Sequence, residues 1–348
     1  MTLGDVWFVL VGVLLAGYAI FDGFDLGVGT LYPFLGKSEE DKAIMRLSVG
    51  PVWDGNEVWL LTAGGALFAA FPAVYATVFS GFYLALMLLL FALIFRAASL
   101  EFRHRDPAWA KLWDWSFFFG SAIPALLFGV AVGNIIRGIP LTKSGEFIVG
   151  SGPTFGANLL AALNPYAIAI GLLGLVWIML QGSAWLCVKT TGDLYERAQK
   201  TRRALLVAFA FEFALATAAT AVMVPDAFDN AVSSPAGWVF ILLAIASVIF
   251  AWVSGQRTSD RQAFYGTSLT AVAMVGIWAV SIFPSLVPST GPGDSLTIAN
   301  SASSDLTLTV MLIIAAIGVP LVLFYFFLIY KTYAGRIEPA MLAEEDAY

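Results

Sequence analysis

The sequence predicts an all-α polytopic membrane protein of about nine transmembrane helices, each about 20 residues long. Three observations carry that expectation. The 348 residues are 59% hydrophobic and only 12% charged, with a mean hydropathy of +0.84, whereas a soluble domain carries about 25% charged residues. Apolar runs of bilayer-crossing length recur from one end of the chain to the other. Lys and Arg fall between those runs with a one-sided bias, the pattern that sets membrane topology. A soluble core is thereby excluded. A nucleic-acid surface is not expected, because no basic stripe interleaves with aromatics. The single cysteine, Cys187, excludes an internal disulfide and a CxxC metal site. The N-terminus lacks the basic segment of a cleavable signal, so the first run reads as a retained span.

Taken in order, the spans fall near 6–33, 50–72, 74–96, 115–136, 165–187, 203–224, 236–254, 264–286 and 306–330. The third and ninth are the cleanest in hydropathy. The second and eighth are weaker, being interrupted by acids or by Gly, Ser and Thr. An external N-terminus leaves only Arg137 and Lys143, of 18 Lys and Arg residues, on the outer side. The expected topology is therefore N-terminus out and C-terminus in. Residues 38–48 suit a short helix along the inner face. The outer connections 137–164, 225–235 and 285–305 are rich in turn formers or short. Two sets of four spans and a lone ninth suggest a first four-helix bundle (1–136), an external loop (137–164) and a second four-helix bundle (165–290). A peripheral ninth helix and inner tail (291–348) complete the chain.

The chemistry concentrates in Asp22-Gly-Phe-Asp-Leu-Gly-Val-Gly29 and Trp53-Asp-Gly-Asn-Glu-Val-Trp59. A carboxylate within a span costs roughly 2.5–3.5 kcal/mol on insertion scales, and such an acid marks an ion or proton path by default. The topology puts Asp22, Asp25, Asp54 and Glu57 at comparable depth on adjacent antiparallel helices, toward the inner side. Asp22 and Asp25 are about 4.5 Å apart along the axis and share a face. Gly23 and Gly27 form a small-xxx-small pair that permits close helix approach. One reading is a buried carboxylate pair that relays protons. The other is helix capping, with Asp54 near a helix N-terminus and Glu57 as its capping-box partner. Trp53 and Trp59 read as belt or packing residues.

Arg96 directly follows the apolar run Leu84–Phe95. It is either a positive-inside anchor or the partner of an inner-half acid or of a neighbouring subunit's anionic cofactor group. Gln181 and Glu212 also lie in spans. The lone histidine, His104, sits in a charged inner loop, so this chain alone does not supply axial ligands for several haems. Met residues within spans read as core filling. No P-loop, GxSxG or HExxH motif is present, and ATP-driven or hydrolytic chemistry has no support.

Together the two acidic stretches, with Gly50-Pro-Val, Thr62-Ala-Gly-Gly-Ala-Leu-Phe-Ala-Ala70, Phe79-Ser-Gly-Phe-Tyr83, Trp113-Asp-Trp115, Gly129-Val-Ala-Val-Gly-Asn134, Leu163-Asn-Pro165 and Gln181-Gly182, closely resemble subunit II of bacterial cytochrome bd ubiquinol/menaquinol oxidases. The likeness runs nearly end to end and is looser in the second half. It implies a multi-pass protein of the bacterial cytoplasmic membrane, built as two four-helix bundles plus a peripheral helix. The implied partner is subunit I, which carries two b-type haems and one d-type haem, oxidises quinol and reduces O2. Small single-span accessory subunits and a structural quinone occur in some members. None of the haems is bound by side chains of subunit II in that family. The family's proton-route acids match Asp25 and Asp54. Glu57 stands where the family also shows Gln, and Asp22 and Arg96 are possible supporting residues. The rival expectation is a proton- or cation-coupled transporter using the same acids. A third is a purely structural subunit whose acids cap helices.

Overall fold

The computed structural model describes residues 2–147 and 157–337. The middle of the 137–164 connection and the end of the C-terminal tail lie outside the described residues.

Helix α1 (Leu3–Leu35) opens on a capping box in which Thr2 Oγ1 accepts from the Asp5 amide and Asp5 accepts from the Thr2 amide. Its 33 residues span about 50 Å at 1.5 Å per residue, longer than a bilayer core of about 30 Å. Helix α2 (Glu39–Val49) starts on a second capping box, Ser38 with Asp41, and forms the expected short polar helix. There follow α3 (Trp53–Ala70), α4 (Pro72–Gly81), α5 (Tyr83–Phe102), a 3-10 turn at Pro107–Trp109 and α6 (Ala110–Arg137). The second half contains α7 (Ala157–Ala162), α8 (Pro165–Lys189), α9 (Gly192–Met223), α10 (Pro225–Ser233), α11 (Pro235–Gln256) and α12 (Asp260–Ile282). A small antiparallel ribbon, β1 (Ser285–Val287) with β2 (Leu296–Thr297), then leads through α13 (Ile298–Ser301) to α14 (Asp305–Thr332).

Among the described residues, 8 helices are long and apolar enough to cross a membrane: α1, α5, α6, α8, α9, α11, α12 and α14. The chain is an all-α polytopic membrane protein. Helix α3 fills the place of the expected second span. It has 18 residues and is diluted by the polar residues of its opening turns.

Two boundaries differ from expectation, each for a physical reason. The run expected to cross at 74–96 is divided at Phe82 into the short α4 and the long α5. Hydropathy is blind to that break because both sides are apolar. Helix α9 begins at Gly192, eleven residues before the expected 203. Its polar first turns stay helical because ion pairs hold them: Arg197 meets Asp41 at 2.7 Å and fully buried Arg202 meets Asp260 at 2.9 Å.

Helix α1 is the hub, packing against α3, α6, α8 and α12, while α5 packs on α6, α8 on α9 and α11 on α12. Helix α14 is mostly exposed and lies along α1 and α3. The small pair on α1 does allow close approach, and the neighbour is α8. A Cβ at Gly27 would collide with the Ile178 carbonyl and lie 2.8 Å from Gly182 Cα. The colliding atoms are backbone, so no side chain can move aside. Gly182→Ala is expected to cost about 1–3 kcal/mol or more, the range for overpacked cores, read as an earlier thermal transition and lower yield of purified protein.

Candidate functional site

The acids of the first two motifs converge on one cation. Asp22 and Asp25 project inward from α1 and are 0% and 1% exposed, and Arg96 on α5 is 0% exposed. Arg96 Nη1 donates to Asp22 Oδ1 at 2.7 Å, and its Nη2 donates to Glu57 Oε1 on α3. Gly120 of α6 makes this placement possible, since a Cβ there would stand 2.7 Å from the Arg96 amide nitrogen. A guanidinium stays protonated in any protein environment, and its burial is tolerated because two carboxylates face it.

The second half of the cluster is built on an amide. Asn56 Nδ2 donates to Asp25 Oδ2 at 2.7 Å and to the Phe21 carbonyl at 3.3 Å. Asn56 Oδ1 accepts from the Tyr330 hydroxyl at 2.8 Å, which brings α14 into the site. Asp22 Oδ2, Asp25 Oδ1, Arg96 Nε, Trp59 Nε1 and the Tyr18 hydroxyl are buried here without a hydrogen-bond partner among the described residues. The cluster thus holds three carboxyl groups against one guanidinium, with free oxygens on both α1 acids.

Of the residues singled out in the sequence, Asp22, Asp25, Glu57 and Arg96 come together, and Asp54 stands apart. Asp54 is exposed on the outer face of α3, one helical turn before Glu57. Neither acid on α3 makes a capping hydrogen bond, since the N-cap is Val52 and Glu57 is spent on Arg96, although Asp54 does lie in the first turn, at the positive end of the helix. Nor is Arg96 a surface anchor. Trp59 is a packing residue, stacked on Phe21 at 5.4 Å and lying over Gly17. Gln181 is fully buried and donates to Ser268 at 2.9 Å, and Glu212 is half-buried on α9. His104 accepts from Arg105 Nε at 3.2 Å. No three His, Cys, Asp or Glu side chains form a metal-holding group among the described residues.

Two residues of the cluster, Asn56 and Tyr330, are not among those the sequence singles out. Asn56 had a signal, an amide inside a motif already rich in acids. Tyr330 had none, since it is one aromatic among several on a helix remote in sequence.

A second polar network closes one end of α1. Asp114 on α6 accepts from Arg103 Nε at 2.6 Å, from Lys42 at 2.8 Å and from the Tyr32 hydroxyl at 3.1 Å, and Arg103 also meets Glu39 at 2.6 Å. Burial alone would raise the carboxyls of Asp41 and Glu39. The Ser38 amide and Arg197 at Asp41, and Lys42 with Arg103 at Glu39, outweigh it and hold both below the usual carboxylate range. Lys42 loses to burial but gains more from Asp114 and Glu39, and its ammonium is held above the ordinary lysine value. These pairs tie α2 to α5 and α6 beneath the Arg96 cluster.

Comparisons with known proteins place the chain in a family. The family described as cytochrome bd terminal oxidase subunit II matches residues 3–333. The chain is similar to the probable cytochrome oxidase subunit 2 of Haemophilus influenzae, 37% identical with 96% of this chain and 94% of the relative covered. It is 35% identical to the cytochrome bd-I ubiquinol oxidase subunit 2 of Escherichia coli, covering 95% and 94%. It is 36% identical to the cytochrome bd ubiquinol oxidase subunit 2 of Bacillus subtilis, covering 92% and 93%. A chain in the structure of bd oxidase from Geobacillus thermodenitrificans shares the fold, with a TM-score of 0.79 at 14% identity over 96% of this chain and 99% of that one. The coupled-transporter expectation is not favoured by any of these. The chain belongs to the cytochrome bd terminal oxidase subunit II family, as a multi-pass protein of the bacterial inner membrane and a component of an oxidoreductase complex.

Proposed function

We propose that this chain is the subunit that ligates no haem in a quinol:O2 oxidoreductase, and that its acids carry protons from the cytoplasmic side toward the O2-reducing centre of subunit I. On this reading the N-terminus is outside, the C-terminus inside, and two b-type haems and one d-type haem sit in the partner. The two bundles and the lone ninth helix correspond to α1, α3, α5 and α6, to α8, α9, α11 and α12, and to α14. The observation that carries the proposal is the buried cluster of Asp22, Asp25 and Glu57 around Arg96, with Asp54 one turn from Glu57 on the open face of α3.

Carboxyl groups suit such a path because they exchange protons and are tuned by burial and neighbours. Asp25 Oδ1 and Asp22 Oδ2 are free to take a proton while the other oxygen of each acid stays bonded. The outer stripe of α3 runs through Asp54, Val58, Leu61, Thr62 and Gly65. An acid, a hydroxyl and a glycine on that stripe suit another helix better than acyl chains. We place subunit I against it, with Asp54 as the acid that hands protons across.

Affinity purification of the tagged chain is expected to bring down a haem-bearing, coloured partner; a colourless preparation would argue against the complex. In that preparation Asp54→Asn is expected to slow quinol-driven O2 reduction at least several-fold while haem absorbance is retained. Turnover equal to the parent would remove Asp54 from the path.

A further inference from the structure

The strongest unassigned feature is the contact between the tip of α14 and the acid cluster. Helix α14 is otherwise exposed along most of its length, with only Leu308 and Phe326 buried. Near its C-terminal end, however, Tyr330 reaches past Phe326 and Phe21 into the interior, with ring centroids 6.0 and 5.8 Å away. Its hydroxyl donates to Asn56 Oδ1 at 2.8 Å, and no residue of α1 or α3 makes that contact.

A carboxamide has one acceptor oxygen and two N–H donors. Both Asn56 donors are spent, on Asp25 Oδ2 and on the Phe21 carbonyl. The oxygen therefore needs a donor, and Tyr330 is the one that supplies it. Fixing the oxygen toward α14 fixes the amino group toward Asp25. Without the hydroxyl, the amide gains the freedom to rotate by half a turn, which would present its oxygen to Asp25 in place of its N–H. An N–H facing Asp25 stabilises the carboxylate, whereas an amide oxygen facing it stabilises the acid, because only the acid can donate.

We propose that Tyr330 is a positioning residue for proton transfer: through Asn56 it holds Asp25 Oδ2 against a donor, so that Oδ1 is the oxygen that takes and releases the proton. The ninth helix thereby belongs to the proton path and is more than a scaffold. This rests on the proton-path reading of Asp25 above. The titratable and charged groups around Asp25 are Tyr18 and Asp22 on α1, Glu57 on α3, Arg96 on α5 and Tyr330 itself. Gln181 of α8, which donates to the Ile20 carbonyl of α1 and to Ser268 of α12, does not titrate, nor does Ser268.

The test uses the intact complex, with O2 consumption followed against pH and haem absorbance as the assembly control. Tyr330→Phe keeps the ring and its packing and deletes only the hydroxyl. Turnover is expected to fall roughly two- to tenfold, the scale of one hydrogen bond, with the pH profile displaced toward alkaline pH and haem absorbance unchanged. Tyr325→Phe, the same chemical change on the exposed face of α14, is expected to leave the profile in place. Asn56→Ala should reproduce the displaced profile, and adding Tyr330→Phe to it should change nothing further, since the hydroxyl acts only through the amide. Additive losses in the double variant, or a Tyr330→Phe profile that coincides with the parent while Asp25→Asn is slow, would overturn the inference and leave the proton path standing. An Asp25→Asn complex with parental turnover would overturn both. Should Tyr330→Phe assemble poorly, an Asn56→Ala profile that coincides with the parent overturns the inference by itself.

Discussion

Arg96→Leu is expected to prevent the folded chain from accumulating in the membrane. The guanidinium is completely buried between Asp22 and Glu57. Leucine fills part of the volume and offers no donor, so two carboxyl groups are left facing each other in an apolar interior. Breaking a buried ion pair by removing one partner costs about 3–5 kcal/mol, a large share of a typical stability of about 5–15 kcal/mol. Arg96→Lys keeps the charge but gives up the planar fork that reaches two acids at once, so its loss should be smaller. The diagnostic variant combines Arg96→Leu with Asp22→Asn and Glu57→Gln. Removing Arg96 together with the two acids that bond it relieves the desolvation cost, Asp25 keeping its bond to Asn56, and buried pairs replaced as a unit are often neutral in stability. Partial recovery of chain level and of haem absorbance in the triple variant is expected, without recovery of turnover. Normal levels of the Arg96→Leu chain would show that the cluster is not held by the ion pair.

The parts of this site that were legible in the sequence are those that defy hydropathy. Asp22, Asp25 and Glu57 stand out because an acid in an apolar run has to be compensated, and the small pair Gly23 and Gly27 announced a close helix crossing. What the sequence withholds is the identity of the compensating group. Arg96 lies 74 residues from Asp22, and its position at the end of an apolar run fits a membrane anchor just as well. The outcome is decided by Gly120, which lets α6 close on the backbone of Arg96. The same holds for the crossing partner of Gly27, which is Gly182 on α8, and for Tyr330, whose role depends on where α14 lies. Local pattern likewise located the apolar runs but not their ends. The α4–α5 break falls just after Ser80-Gly81, inside a run still apolar enough to read as one span, and the early start of α9 depends on pairs with Asp41 and Asp260, contributed from α2 and α12.

Asp25→Asn is expected to have the largest effect on turnover among variants that still assemble. Asparagine matches aspartate in shape, and its carbonyl oxygen can accept the Asn56 N–H in place of Asp25 Oδ2. Its amino group then occupies the position of Oδ1, the buried oxygen with no partner among the described residues. Packing and the amide contact survive, while the group that exchanges a proton does not. Positioned proton transfer contributes about 10²–10⁴ in rate, and loss of an acid in series with Asp22 and Glu57 should cost at least the lower end of that range unless those acids conduct without it. The readout is quinol-driven O2 consumption by the purified complex, normalised to haem content. Asp25→Glu separates the two possible origins of a loss, because it restores a titratable group but misplaces it by one methylene. Partial recovery with glutamate and none with asparagine identifies the proton as the missing element. Equal losses in both would show that a carboxyl group near this position is not enough, and that it must stand where Asp25 holds it against Asn56 of α3.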